Sequence, residues 1–91
     1  MLNMGLLLTT SRVNTTRLNN TLFNQEVMHA LARYKKHDWG DMSEGDKEMN
    51  DEAVKNGNDR ILAAYNTHQG KIYIITEHDR SATTVLFAEE Y

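Results

Sequence analysis

The chain contains no cysteine. That excludes a disulfide framework and thiol chemistry, and it makes the cytoplasm the expected location. No run approaches the roughly 18 apolar residues that a membrane-crossing helix requires, so no membrane partner is expected. The first ten residues are short for a signal peptide and lack a basic start. The five glycines (Gly5, Gly40, Gly45, Gly57 and Gly70) are scattered, which leaves no phosphate-cradling loop. The four histidines (His29, His37, His68 and His78) contain no His-x-x-x-His pair, and no calcium loop is present. Neither a metal site nor a cofactor is expected. No serine or threonine stands out as a nucleophile either: Ser43 reads as a helix cap and Ser81 as a turn residue. The expectation is a protein that performs no chemistry.

What is present suits one folded unit over residues 1–91. A hydrophobic fraction of 40% and a charged fraction of 25% match a globular domain rather than a disordered chain. At 91 residues such a domain has little apolar surface to spare. The net charge of −3 conceals an asymmetry. Residues 1–37 carry Arg12, Arg17, Arg33, Lys35 and Lys36 against Glu26 alone, a balance of +4. Residues 38–59 carry Asp38, Asp41, Glu44, Asp46, Glu48, Asp51, Glu52 and Asp59 against Lys47 and Lys55, a balance of −6. Such blocks bear on partners more than on fold.

The segment from Arg60 to Tyr91 organises the rest. It holds three runs rich in Ile, Val, Thr, Tyr and Phe, separated by the polar breaks 66–70 and 77–81. These runs predict a three-stranded antiparallel meander. Its middle strand, Ile72-Tyr73-Ile74-Ile75, is apolar on both faces. Two helices can cover one face. The other then needs the N-terminal segment, a target or a second copy, so an exposed apolar patch or a homodimer is expected.

Upstream, residues 5–10 read as a short strand whose Leu6, Leu7 and Leu8 can reach buried positions. A helical turn fits near residues 15–19. The clearest helix spans about 22–36, where Phe23, Val27, Ala30, Leu31 and Tyr34 form one apolar stripe. Thr21 or Asn24 can cap it, and Arg33, Lys35 and Lys36 suit its C-terminal dipole. A second helix starts at Ser43, with Asp46 three residues on, and stops at Gly57. Its apolar stripe is Met49 and Ala53, with Met42 leading in. Glu44, Glu48 and Glu52 recur every four residues on another face. The expected fold is α+β: a small antiparallel sheet of three to four strands packed against two helices, in the order β-α-α-β-β-β. Trp39, the single tryptophan, either fills the gap between helices and sheet or stands exposed as a binding anchor between Asp38 and Asp41.

Three segments carry a resemblance: Asp38-Trp39-Gly40-Asp41, Asn50-Asp51-Glu52-Ala53, and the long run from Ile74 to Tyr91, together with Ala64-Tyr65. They resemble a family of small proteins found on bacterial phages, plasmids and other mobile elements. The resemblance covers roughly residues 22–91, and members often show Pro where this chain has Ala88. It implies no catalytic residue. It does imply a setting in which small acidic proteins inhibit host defence, as anti-CRISPR or anti-restriction proteins do. The expected partner is then a host protein such as a defence nuclease, met through Asp38, Trp39, Asp41, Glu44, Glu48 and Glu52. A row of carboxylates can enter a Lys/Arg-lined channel as phosphates do. The alternative is a small nucleic-acid-binding regulator that uses Arg12, Arg17, Arg33, Lys35 and Lys36.

Overall fold

The structure, a computed structural model, describes residues 2–91. The elements run β1 (Leu6–Thr9), α1 (Ser11–Leu18), α2 (Thr21–Lys35), α3 (Glu44–Asn56), β2 (Ile61–Thr67), β3 (Gly70–Thr76) and β4 (Ala82–Phe87), with a closing 3-10 turn over Ala88–Glu90. The fold is α+β. The meander forms as the apolar runs require: β3 pairs antiparallel with both β2 and β4.

The element order and the sheet topology each differ from the sequence reading. The turn expected near residues 15–19 is a full helix, α1, because Thr10 accepts the Val13 N–H and starts it four residues earlier. The sheet is also mixed, since β1 joins β4 in parallel to give the strand order β1-β4-β3-β2. Its direction follows from α1, whose capping residue hangs from the sheet through Thr10 N–H to the Val85 carbonyl at 3.1 Å.

One face of the meander forms the core. Ile61, Ala63 and Tyr65 lie in register with Thr76, Ile74 and Ile72, which in turn meet Thr83, Val85 and Phe87. Helix α2 covers them with Phe23, Val27, Ala30, Leu31 and Tyr34, the stripe expected from periodicity, and α1 adds Val13. Burial of each large apolar side chain contributes about 1.5–3 kcal/mol. The cap of α2 is Asn20 rather than the expected Thr21 or Asn24, because its side chain is the one that accepts from Phe23 N–H.

Hydroxyls inside this core form one ordered chain. Thr83 donates to the Met4 carbonyl at 2.7 Å, so its oxygen accepts from Thr76 at 2.8 Å, and Thr76 accepts from Tyr34 at 2.6 Å. Every hydroxyl is satisfied in that single direction, which lets three polar side chains stay buried. Burial pushes the Tyr34 phenol up to about 12.

The expectation that Leu6, Leu7 and Leu8 reach buried positions fails. They are 69%, 51% and 46% exposed. β1 is the outermost strand, with no neighbour beyond it among the described residues.

Candidate interaction site on the third helix

The loop between α2 and α3 turns sharply at His37, which adopts the left-handed conformation with φ 64°. The Arg33 guanidinium then grips the Asp38 carboxylate through two bonds, at 2.7 and 3.2 Å. Gly40 follows at φ 75°, so close to β2 that a Cβ there would sit 2.0 Å from the Ala64 carbonyl oxygen. Only glycine fits this approach. The reward is a bridge to the strand edge: Ala64 N–H bonds to the Trp39 carbonyl at 3.3 Å, and Asp41 N–H to the Ala64 carbonyl at 2.7 Å. The Tyr65 hydroxyl donates to the Asp38 carbonyl at 2.7 Å.

Trp39 is 2% exposed. It lies under His37, edge-on to Tyr34 at 5.3 Å, and its indole N–H donates to Asp51 at 2.9 Å. The reading of Trp39 as an exposed anchor is therefore corrected: it is the core residue that locks α3 to α2 and the sheet. Two neighbouring candidates also serve the scaffold. Asp38 belongs to Arg33, and the Asp41 carboxylate meets Lys71 at 2.9 Å. These cationic hydrogen-bond partners hold both carboxyls below the usual carboxylate range.

Helix α3 begins as expected, with Ser43 accepting from Asp46 N–H, and ends at Gly57 with φ 75°. Its buried stripe differs from the expected one. Ala53 is buried, but Met49 is 69% exposed and Asn50 takes the inward place. Asn50 bonds to both backbone groups of Leu62, at 2.8 and 3.3 Å, so polar pairing with a strand edge decides the helix's rotation. Arg80, itself left-handed at φ 61°, closes the far end by donating to the carbonyls of Ala53 at 2.7 Å and Asp59 at 2.6 Å. The loop 38–41, residues 50–53 of α3, residues 62–65 of β2 and Arg80 thus meet in one joint that fixes α3 against β2.

That rotation turns Glu44, Glu48 and Glu52 outward, all exposed. Glu44 stands 3.6 Å from Lys47. Among the described residues neither Glu48 nor Glu52 has a cationic partner. Gly45, Glu48, Met49 and Glu52 follow the i, i+3, i+4, i+7 spacing of one helical face. They border a groove of about 830 Å³ between α3 and the start of β2. Met42, Met49 and Leu62 supply its apolar lining, and Asp46, Glu48, Glu52 and Asp59 its carboxylates. Among the described residues the one cation lining it is Arg60, which donates to the Tyr91 hydroxyl at 2.6 Å.

Asp46 and Asp59 were legible only as a capping residue and as part of the acidic block. Their place in the groove depends on how α3 docks, which no local pattern encodes. Elsewhere Glu26 pairs with His68 across α2 and the β2–β3 turn, but the second ring nitrogen already meets Asn20 at 3.1 Å. Among the described residues no three His, Asp or Glu side chains converge as metal ligands, and no helix is long and apolar enough to cross a membrane. Comparison with protein-family models, curated proteins and solved structures finds no match.

Proposed function

We propose that the chain is a non-catalytic binding protein whose α3 groove receives a Lys/Arg-bearing, partly apolar segment of a partner protein. The observation that carries this reading is the exposed Met49 set between the unpaired carboxylates Glu48 and Glu52. Methionine is soft and adapts to varied apolar surfaces, while the carboxylates select for cations and speed encounter. Exposed ion pairs contribute only about 0.2–1 kcal/mol each, so affinity rests on the apolar lining and selectivity on the charge.

The resemblance to mobile-element proteins supports a cytoplasmic host-defence protein as the partner, and a nuclease with a basic nucleic-acid channel matches the groove's charge. The observations favour this over nucleic-acid binding. Of the five cations that the alternative needs, Arg12 is held by Glu89 and Arg33 by Asp38. Arg17, Lys35 and Lys36 make a small phosphate footprint.

An amphipathic Lys/Leu peptide, titrated at low salt and at roughly 300 mM salt, tests the groove. The Met49 methyl resonance should shift on binding, and higher salt should weaken the complex. A Glu48→Lys/Glu52→Lys variant should lose at least about tenfold in affinity, or 1.4 kcal/mol. Equal binding by the variant and the wild type would show that the surface is the wrong one.

A further inference from the structure

The two edges of the sheet are finished differently. On the β2 edge, the outward backbone groups of Leu62 are taken by Asn50, and those of Ala64 by the Trp39–Asp41 loop. The β1 edge has no such cover among the described residues. Leu6 N–H bonds to the Ser81 carbonyl and Thr10 N–H to the Val85 carbonyl, so the even-numbered groups face β4. By strand alternation the N–H and C=O groups of Leu7 and Thr9 face outward.

Open edges are usually blunted by charge, proline, a bulge or shortness. This one carries no charge, proline or bulge and is limited only by its length of four residues. No charged side chain occurs from Leu2 to Ser11, and the strand itself is Leu6-Leu7-Leu8-Thr9, with all three leucines exposed.

We propose that β1 pairs antiparallel with β1 of a second copy, joining the two sheets across a two-fold axis. Self-pairing sets each residue against the same or a neighbouring residue of its copy, so a charged edge would repel itself and a neutral one does not. With Leu8 opposite Leu8, Leu7 and Thr9 exchange backbone bonds with Thr9 and Leu7 of the second copy. Leu8 then packs on Leu8 of the second copy on one face of the joined sheet, and Leu7 lies beside Thr9 of the second copy on the other. A neutral, leucine-rich edge also offers nothing to a highly charged partner segment, which argues for a second copy as the occupant.

Four residues make a short seam, below the roughly 1,200 Å² of a standard stable interface, so the dimer is weak and forms only at high concentration. In the strand order β1-β4-β3-β2, the α3 groove lies at the far edge. Both grooves of the pair therefore point outward and remain free. This inference does not depend on what the groove binds.

Sedimentation velocity from about 1 µM to several hundred µM tests it, together with amide exchange. The wild type should pass from monomer to dimer, while Leu7→Lys and Thr9→Lys stay monomeric with unchanged far-UV circular dichroism. Exchange at the Leu7 and Thr9 amides should slow with concentration, and that at Leu6, already bonded within the sheet, should not change. A monomer at every concentration overturns the proposal. So does a dimer that either lysine variant leaves intact. Should both variants unfold, the concentration dependence of the wild-type Leu7 and Thr9 amides decides alone.

Discussion

Asn50 lies across the outer edge of Leu62 and answers both of its backbone groups. Its Nδ2 donates to the carbonyl at 2.8 Å, and its Oδ1 accepts from the N–H at 3.3 Å. A side-chain amide carries one donor and one acceptor group in the same spacing as a peptide unit, so it substitutes for a neighbouring strand. The helix that carries Asn50 is thereby held by a polar contact where hydrophobicity alone would have turned Met49 inward.

Replacing Asn50 by Ala is expected to cost about 2 kcal/mol, since it leaves two backbone groups of a partly buried edge unpaired. Urea denaturation should show a lower midpoint with an unchanged slope. Asn50→Asp keeps the acceptor but faces a second oxygen to the Leu62 carbonyl, so it should not restore the wild-type midpoint.

Trp39→Ala should destabilise by about 3–5 kcal/mol through the cavity it leaves, while Trp39→Phe should cost less because most of the volume remains. The single tryptophan of the wild type should emit at short wavelength and resist acrylamide quenching. Emission at the wavelength of free tryptophan in water would place it outside the core.

Arg80→Ala removes charged hydrogen bonds to the Ala53 and Asp59 carbonyls and should cost about 2–3 kcal/mol. In a domain of this size that lowers Tm by roughly 10–20 °C in calorimetry. Arg80→Lys should recover little, because one ammonium cannot span both carbonyls as the guanidinium fork does.

Acid should weaken the α3 joint. Asp38, bonded by Arg33, and Asp41, bonded by Lys71, both titrate below the usual value of 3.8 in the folded chain. Their contribution is present above that value and is lost as pH falls through the lower folded values. Thermal melts should therefore hold steady down to about pH 5 and decline below about 4. Asp38→Asn should be less stable than the wild type at neutral pH and converge with it as acid protonates Asp38. The opposite sign applies to Tyr34, raised by burial to about 12. Its stabilising share is complete below about 10 and disappears as pH rises through 12, and Tyr34→Phe should lack that step.

Local patterns were readable in the chain because they depend on neighbours in sequence. The five-residue stripe of α2 follows from the helical repeat, and Ser43 and Gly57 mark the ends of α3 through backbone needs that no distant residue alters. The β2–β3–β4 meander follows from three β-rich runs with polar breaks. Where several arrangements satisfied the same local pattern, the reading went astray, as at Met49 and the Leu6–Leu8 strand, or stayed open, as at Trp39.

Sequence alone determined the α+β class, the caps of α3, the core-facing stripe of α2 and the uneven distribution of charge, because each is set by residue type and spacing. Tertiary structure decided that Trp39 is interior, that Asn50 rather than Met49 faces the sheet, and that Asp46 and Asp59 join Glu48 and Glu52 around one groove. It also decided that β1 ends the sheet with its leucines exposed. The physical reason is that an apolar or charged side chain specifies a preference for an environment, and only the docking of α3 and the order of the strands determine which environment it receives.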